Sequence, residues 1–350
     1  MTENRSIKGI LIPIGGNEDK GTTGKSRANF LEKGILSHIL QEAKGKGSKV
    51  VVIPIASNIP DEVGENYIKA FGKLGCKDIS VLRITRRGQS DGKEVLRLIG
   101  QADCIMGSSD LQMLQARDGG LPVTTVAAVF QKDPQVLIAH DDVKKFEDLK
   151  GKTILIASSA QRGYWPWLKA KFGLSDSQTR PYTFNIQPFV ADKDAAQQGY
   201  LTSEPFAIQK AGVKSTVLMF SDYGYPAYAT TVSCMDKTIK SRSKAVEAFV
   251  KASMEGWKSY LANPAPGNAL IKKDNPNMTD EQLAYSVAKL KESGMVTGGD
   301  AAKMGVGIMT PERAKASFDF SVQAKLIDPA KVKLDDAYDF AFIKAMKVMP

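Results

Sequence analysis

The chain has 350 residues, of which 43% are hydrophobic and 25% charged, and 48 Lys and Arg against 38 Asp and Glu give a net charge of +10. This composition excludes the disordered, collagenous and membrane-spanning classes, and the length exceeds the ~250–300 residues at which one core stops growing. The basic residues are interleaved with acids, as on solvated helix faces, which argues against a nucleic-acid partner. We therefore expect a globular protein with more than one lobe.

The amino terminus carries a short apolar stretch at residues 10–14, before two glycines. A signal peptide or a spanning helix needs a longer apolar run, so the sequence as written predicts a cytoplasmic protein. Only two histidines occur, His38 and His140, which limits imidazole-based catalysis. Three cysteines at distant positions predict buried thiols rather than a disulfide framework or a metal site. They are Cys76, Cys104 and Cys234.

Residues 1–140 are predicted to form a first α/β lobe, because short β-branched runs alternate with longer amphipathic stretches. The predicted strands are residues 9–14, 49–55, 79–84, 104–107 and 123–130. The predicted helices are residues 30–44, 61–74, 93–100 and 110–117. This alternation is typical of a flavodoxin-like parallel sheet, and we expect the strands of the first hundred residues to join one sheet with the strand at 123–130.

A turn-rich link at residues 131–134 leads to a second α/β lobe, predicted at residues 141–222. Its strand at residues 153–157 is followed by a helix through Trp165. Residues 223–350 are predicted to return to the first lobe and then to form a helical cap, because apolar residues recur at helical spacing almost to the end of the chain.

Four segments of the first 106 residues resemble the opening of cyanophycinase-like serine peptidases. They are residues 9–20 (GILIPIGGNEDK), 50–57 (VVVIPIAS), 60–67 (PDEVGENY) and 101–106 (QADCIM). The resemblance implies a nucleophilic serine on a tight turn further along the chain. Residues 107–110 read GSSD instead, no Gly-x-Ser-x-Gly occurs, and neither histidine is placed to deprotonate a serine. We therefore expect peptidase activity to be lost.

From about residue 102 to the end, the chain resembles solute-binding proteins of ABC importers, of the nitrate, sulfonate and thiamine-pyrimidine type. The matching segments are residues 107–110 (GSSD), 127–134 (AAVFQKDP), 146–152 (FEDLKGK), 199–205 (GYLTSEP) and 220–224 (FSDYG). The resemblance implies a two-lobed, type II periplasmic-binding-protein-like fold, a monomer and a small-molecule ligand. It implies an ABC permease as partner if the protein is exported, since the resembled family is periplasmic. The opening of that family, with its tryptophan-containing loop, is missing here.

The two resemblances meet at residues 102–107, where both families have a parallel strand that ends at a helix start. This predicts a recombined or engineered chimera. The alternative is one natural family that resembles both.

Ser108, Ser109 and Asp110 follow a predicted strand and begin a helix, so their hydroxyls and backbone amides are expected to face the crevice at the sheet's carboxyl edge. Plain capping of that helix accounts for the same residues equally well. Ser158 and Ser159 repeat the arrangement in the second lobe. We therefore expect the two helix starts to face one another across a cleft.

Aromatic and acidic residues complete the predicted site. Trp165 offers a flat surface for stacking a planar ring, whereas Glu204 and Asp222 could accept hydrogen bonds from an amine or amide. The alternatives are core packing for the aromatic residue and solvated loops for the acids. The predicted ligand-binding residues are Ser108, Ser109, Asp110, Ser158, Ser159, Gln161, Trp165, Tyr200, Glu204, Asp222 and Tyr223.

Three functions compete on the sequence alone. The first is non-catalytic binding of a small organic solute in the interlobe cleft, without cofactor or metal. The second is a residual cyanophycinase-like serine hydrolase, which the missing serine turn and histidines disfavour. The third is a chimera whose binding is weakened or lost because part of the pocket was replaced.

Overall fold

The computed structural model describes residues 49–52, 60–81, 104–275 and 277–350. The predicted strand at 9–14 and the predicted helices at 30–44 and 93–100 lie outside these residues. Across the described ranges, no helix combines the length and the apolar character that crossing a membrane requires.

The described residues form ten strands and thirteen α-helices. The strands are β1 (Lys49–Val52), β2 (Asp78–Val81), β3 (Cys104–Ser108), β4 (Val123–Phe130), β5 (Gln135–His140), β6 (Thr153–Ile156), β7 (Thr179–Pro181), β8 (Ala195–Tyr200), β9 (Ser215–Met219) and β10 (Ala229–Met235). The helices are α1 (Pro60–Lys73), α2 (Asp110–Asp118), α3 (Trp165–Phe172), α4 (Gln187–Ala191), α5 (Glu204–Lys210), α6 (Asp236–Ser241), α7 (Ser243–Ala262), α8 (Ala265–Asp274), α9 (Asp280–Glu292), α10 (Ala301–Met304), α11 (Pro311–Gln323), α12 (Leu334–Ala337) and α13 (Ala341–Lys344).

The first described unit is a parallel pair of strands joined by a helix. β1 pairs with β2, Lys49 lying opposite Asp78, and α1 connects them. Pro60 begins α1, where the missing amide hydrogen costs nothing. The buried residues Tyr67, Ala70 and Phe71 recur at helical spacing in α1, and Leu74 follows directly after it. The α/β alternation predicted for this stretch is confirmed.

A three-stranded sheet has the order β3-β10-β4, and β10 runs antiparallel to both neighbours. Of its strands, β4 has the predicted bounds. Among the described strands none pairs β1 or β2 with this sheet, so the expected single sheet is not found there. β10 returns from the carboxyl half of the chain and lies between β3 and β4, so these two strands pair with it and not with each other.

The second sheet contains five strands in the order β7-β6-β8-β5-β9. β6 is parallel to β7 and to β8, whereas β5 is antiparallel to β8 and to β9. β5 therefore belongs with the second sheet, and the chain passes between the sheets at residues 131–134, before the predicted boundary at residue 140. Between β5 and β6 the chain forms a single 3₁₀ turn, Phe146–Leu149.

A disulfide joins Cys104 of β3 to Cys234 of β10, and this corrects the expectation that both are buried thiols. The two residues lie directly opposite one another in the antiparallel pairing, with Cα atoms 3.9 Å apart. They are 130 residues apart in sequence, so their spacing carried no sign of the pairing. Cys76 is a buried thiol, as predicted.

Among the described residues, two large clusters of buried side chains each contain residues of both lobes, and a smaller one around Val123 and Met235 belongs to the first lobe. The first packs Leu111 of α2 together with Trp165 and Phe146 of the second lobe. The second packs Val250 of α7 together with Ile138 of β5. Because each of the two large clusters is continuous, the two lobes share buried apolar surface rather than touching through a polar interface.

The carboxyl-terminal helices contact both lobes. α7 buries Val246, Val250, Met254 and Leu261, which lie along one helical face near β4. α9 instead reaches the second lobe, where the side chains of Gln282 and Ser286 each donate a 2.8 Å hydrogen bond to the carbonyl oxygen of Thr202. The carboxyl-terminal helices therefore contact the second lobe as well as the first lobe, to which they were predicted to return.

Candidate functional site

The carboxyl ends of several strands meet where the chain passes between the two sheets. β4 leads through residues 131–134 directly into β5, whose first residue, Gln135, lies opposite Tyr200 at the carboxyl end of β8. β6 and β7 run parallel to β8 and so end at the same edge. β3 ends beside the beginning of β10, with Ser108 opposite Thr231. In such sheets this edge is where ligands bind.

The turn after β3 is built from Gly107, Ser108 and Ser109. Gly107 is exposed and has a φ of 109°, a conformation that side-chain-bearing residues rarely adopt. The carbonyl of Ser108 accepts a 3.0 Å hydrogen bond from the Thr231 hydroxyl. Ser109 caps α2, because its hydroxyl accepts from the amide of Gln112 at 3.3 Å. The capping alternative is therefore realised, while the Ser108 side chain stays half-buried at the crevice edge.

Asp110 is fully buried and engaged by the protein's own donors. One carboxylate oxygen accepts from the amides of Leu111 and Tyr228, and the other accepts from the hydroxyl of Tyr338 at 3.1 Å. Burial raises the pKa of Asp110 to about 6, opposed by hydrogen bonds, first from Ser317. This residue fixes α2 against β10 and does not line an open cleft.

The second helix start is a 3₁₀ turn, Ser158–Arg162, that follows β6. Ser158 and Ser159 are exposed and Gln161 is half-buried. The side-chain amide of Gln115 on α2 donates a 2.7 Å hydrogen bond to the carbonyl of Arg162. This contact joins the carboxyl half of the first-lobe helix to the end of the second-lobe turn, and the facing of the two helix starts across a cleft stays a prediction.

Trp165 is completely buried, and its indole N–H donates a 2.7 Å hydrogen bond to Asp176. It therefore lies in the core, and its ring is not available for stacking. Tyr223 is half-buried, with its ring 4.7 Å from that of Phe146. Core packing, the alternative weighed for the aromatic residues, accounts for both positions.

Tyr200 is the predicted aromatic residue that remains exposed, at 45% of its surface. Its backbone amide donates a 2.8 Å hydrogen bond to one carboxylate oxygen of Glu204, and the hydroxyl of Tyr182 donates to the other oxygen at 3.0 Å. Gly199 permits this approach, because a Cβ atom there would lie 2.8 Å from Ile138 and 3.0 Å from Glu204. The Glu204 carboxylate thus holds the Tyr182 hydroxyl and the Tyr200 backbone together at the carboxyl ends of these strands.

Asp222 is exposed and forms a 2.9 Å ion pair with Lys132. Lys132 lies in the link between β4 and β5, whereas Asp222 follows β9, so the pair joins the two chain passages between the sheets. Exposed ion pairs of this kind contribute little to stability. The pair therefore places one positive and one negative charge on the surface beside the two connections between the sheets, without fixing either tightly.

Asp133 is a feature that the sequence analysis did not single out. Its carboxylate is buried in the link after β4 and accepts hydrogen bonds from the backbone and side-chain N–H groups of Gln135, at 2.9 and 3.1 Å. Burial raises the pKa of Asp133 to about 6. The sequence feature that predicts this contact is an aspartate before Pro134, in a turn between two apolar strands. In such turns an aspartate side chain accepts a hydrogen bond from the backbone amide two residues later.

The structure thus divides the predicted ligand residues into two groups. Those whose side chains stay exposed or half-buried at the strand ends are Ser108, Ser158, Ser159, Gln161 and Tyr200. Those used by the protein's own packing, hydrogen bonds or ion pairs are Ser109, Asp110, Trp165, Glu204, Asp222 and Tyr223. Among the residues described, no group of three His, Cys, Asp or Glu side chains could hold a metal ion.

Comparison with known proteins assigns this arrangement to a family and a fold. The family model described as NMT1/THI5 like matches residues 78–266. The periplasmic aliphatic sulphonate-binding protein SsuA of Escherichia coli superposes with a TM-score of 0.56 over 83% of this chain and 91% of SsuA, at 13% sequence identity. The predicted periplasmic-binding-protein-like α/β fold is confirmed.

Two curated relatives match different amounts of sequence. The riboflavin-binding protein RibY of Chloroflexus aurantiacus is 29% identical over 193 residues, which cover 53% of this chain and 55% of RibY. Cyanophycinase of Synechococcus elongatus is 30% identical over 106 residues, which cover 30% of each protein. The chain therefore spans about half the length of the first relative and less than a third of the second.

Proposed function

The chain belongs to the NMT1/THI5-like family, and from that premise we propose that it binds a small organic solute, without catalysis, in the crevice between its two lobes. The observation that carries the proposal is that the carboxyl ends of β3 and β4 in the first lobe lie where the carboxyl ends of β6, β7 and β8 in the second lobe meet the connection between the sheets. There Ser158, Ser159 and Tyr200 stay exposed, whereas the buried carboxylates of Asp110 and Asp133 are hydrogen-bonded within the protein. Exposed hydroxyls and an aromatic ring at such an edge suit a planar, partly polar solute.

The partner of such a binding protein is an ABC permease, and we propose that role outside the cytoplasm. The cross-strand disulfide supports this location, because disulfides persist in oxidising compartments. The name of RibY suggests riboflavin as a test solute, and that of SsuA suggests an alkanesulfonate. An aminopyrimidine represents the thiamine-precursor branch of the resembled family.

The test is a titration of the purified chain with riboflavin, an aminopyrimidine and butanesulfonate, followed by calorimetry and by the melting temperature. Binding should raise the melting temperature by mass action. The double variant Ser158→Ala, Ser159→Ala should weaken binding several-fold, since each lost hydrogen bond contributes about 0.5–1.5 kcal/mol.

The matched control is Ser177→Ala, an exposed serine before β7 at the opposite edge of the same sheet. It should leave the affinity unchanged. If none of the three solutes binds to the wild-type chain, the proposal fails for this solute class and the non-binding alternative replaces it.

The hydrolase alternative has no support from the second lobe. His140 ends β5, which runs antiparallel to β8, so it lies at the sheet edge opposite the crevice. Its ring stacks on Phe189 with centroids 4.3 Å apart, and its Nε2 lies 3.0 Å from the Phe189 carbonyl. A general base must reach the proton that it abstracts, and this imidazole is held far from the helix starts. His38 lies outside the described residues.

We also propose that the chain joins a cyanophycinase-like opening to a solute-binding remainder. The two partial matches to unrelated proteins support this origin, as does the separate pairing of β1 with β2. Replacing the tryptophan-containing loop of the resembled family removes ligand contacts, so we expect micromolar or weaker affinity.

A further inference from the structure

The side-chain amide of Gln198 is held in one orientation by its neighbours. Its Oε1 accepts a 2.5 Å hydrogen bond from the backbone amide of Ala157, the residue after β6, and a 2.8 Å hydrogen bond from the Tyr164 hydroxyl. A backbone N–H can only donate, so the Gln198 atom beside Ala157 is the oxygen and not the nitrogen. The NH2 group of Gln198 therefore faces away from Ala157.

Tyr164 keeps this arrangement over a wide pH range. Burial, and then the nearby Tyr200 and Asp133, raise the pKa of the Tyr164 hydroxyl well above its ordinary value. The hydroxyl therefore stays protonated and continues to donate to Gln198.

The NH2 group of Gln198 is available to a ligand. Gln198 is half-buried, and its Nε2 donates to no acceptor in the part of the chain that the structure describes. In that same part, the buried side-chain polar atoms that lack a partner are Gln197 Oε1 and Ser221 Oγ. Because Gln198 Nε2 is not among them, it reaches solvent, next to the turn that begins at Ser158.

Gln135, the first residue of β5, is oriented in the opposite sense. Its Nε2 donates a 3.1 Å hydrogen bond to one carboxylate oxygen of Asp133, whose other oxygen accepts from the Gln135 backbone amide. An ionised carboxylate can only accept, so Gln135 turns its NH2 group toward Asp133 and its Oε1 away. Within the described ranges this oxygen accepts no hydrogen bond, and it is not among the buried atoms without a partner. It is therefore open to an N–H donor.

The two amides lie on one face of the five-stranded sheet. Gln135 lies opposite Tyr200 and Leu137 lies opposite Gln198, so the two glutamines are diagonal neighbours on adjacent antiparallel strands. Leu137 and Ala196, two positions along each strand, belong to the same buried cluster, as side-chain alternation requires. Diagonal neighbours are about 7–8 Å apart, within reach of long side chains. One small ligand group can therefore contact both amides.

We propose that Gln198 and Gln135 form a donor–acceptor pair that recognises a solute with an N–H group next to a hydrogen-bond-accepting atom, as in an imide, a lactam or an aminopyrimidine. Gln198 donates to the accepting atom, and Gln135 accepts from the N–H group. This inference rests on the proposed function and specifies which groups of the solute are read. The opposite orientation of the two amides carries it, since two amides oriented alike would offer two donors or two acceptors.

The experiment compares riboflavin, whose ring imide carries an N–H group between two carbonyls, with 3-methylriboflavin, in which that hydrogen is replaced. The wild type should bind riboflavin at least about tenfold more tightly, because methylation leaves the Gln135 oxygen unpaired, and tenfold corresponds to about 1.4 kcal/mol. In Gln135→Met, which keeps the length of the side chain without its acceptor, the two dissociation constants should agree within about threefold. An aminopyrimidine and its dimethylamino derivative repeat the comparison for an exocyclic amine.

Gln198→Glu tests the donor. The carboxylate still accepts from Ala157 and Tyr164, but an oxygen replaces the NH2 group and faces the ligand's accepting atom. Riboflavin binding should weaken at least about tenfold. Gln209→Glu, at an exposed glutamine on α5, makes the same chemical change away from the pair and should leave the affinity unchanged. The melting temperature of each variant reports separately on folding.

Three results would overturn the inference. They are equal wild-type affinity for both members of each methylated pair, a preference that persists in Gln135→Met, and a riboflavin dissociation constant in Gln198→Glu within twofold of wild type. The first comparison needs no variant, so it decides even if a variant does not fold. A wild type that binds butanesulfonate but neither riboflavin nor the aminopyrimidine also overturns the inference and leaves the proposed function standing. A wild type that binds none of them refutes both.

Discussion

Two buried carboxyl groups make the stability of this fold depend on pH. Burial raises the pKa of Asp110 and of Asp133 from 3.8 to about 6. Between about pH 4 and pH 6 the folded state therefore binds protons that the unfolded state has released. The free energy of unfolding falls as the pH rises through this window and stays lower above it, by about 3 kcal/mol for each such group.

Asp133→Asn tests this effect, because the amide mimics the neutral acid and can still accept from the amide of Gln135. We expect the variant to gain about 1–3 kcal/mol in free energy of unfolding at pH 7.5 and to match the wild type only below the unfolded-state pKa, at about pH 3. Urea denaturation at the two pH values measures it. Equal differences at both values would contradict the prediction.

Asp176→Asn is the control with the opposite sign. Its hydrogen bond from Trp165, and then that from Lys169, lower the pKa of the Asp176 carboxyl. A lowered pKa stabilises the folded protein above the ordinary pKa. This variant should therefore be less stable than the wild type at pH 7.5, and the difference should shrink as the pH falls through the carboxyl range.

For single residues, the sequence predicted the place in a helix or strand better than the groups that the side chain contacts. Ser109 was expected both to bind ligand and to cap a helix, and local chain geometry makes it a cap. Trp165 was expected to stack on a ligand, but it is buried in the core, where its indole N–H donates a hydrogen bond to Asp176, eleven residues further on.

The disulfide between β3 and β10 should stabilise the first-lobe sheet. Cross-linking residues 130 apart removes freedom from the unfolded chain, and such bonds typically contribute about 2–4 kcal/mol. The double variant Cys104→Ala, Cys234→Ala should lose that amount in urea denaturation. Dithiothreitol should lower the stability of the wild type to that of the variant and leave the variant unchanged. An effect of the reductant on both proteins would point to another cause.

The contact of α9 with the second lobe can be measured through one serine. The Ser286 hydroxyl is 2.8 Å from the carbonyl of Gln282 in its own helix and 2.8 Å from that of Thr202. Ser253 on α7 has only the equivalent bond within its helix, to Phe249 at 2.8 Å. We expect Ser286→Ala to cost about 1 kcal/mol more than Ser253→Ala in free energy of unfolding, because it also loses the tertiary bond. Equal costs would show that the Thr202 contact adds nothing.

Elements were predicted well wherever the pattern was local. The bounds of β4 agree with the prediction, those of α1 differ by one residue at each end, and those of α2 differ by one residue at the carboxyl end. The pairing of strands was predicted less well, because β10 lies about a hundred residues beyond β4 and hydrophobic alternation does not say which strands will meet.

Across the whole molecule, the two lobes should unfold together. Each of the two large buried clusters contains side chains from both lobes, so neither core survives the loss of the other. In the variant Trp257→Phe the remaining tryptophans, Trp165 and Trp167, report on the second lobe alone, whereas circular dichroism reports mainly on the carboxyl-terminal helices. The two thermal midpoints should coincide. Midpoints several degrees apart would show that the lobes are independent.

The central position of β10 also has a consequence for synthesis on the ribosome. β3 and β4 emerge early, yet the strand that must lie between them is not complete until Met235 has been translated, after the entire second sheet. Until then two mostly apolar edges remain open in the nascent chain, and such edges attract chaperones or other chains. The three-stranded sheet of the first lobe is therefore completed after the five-stranded sheet, although two of its strands are translated first.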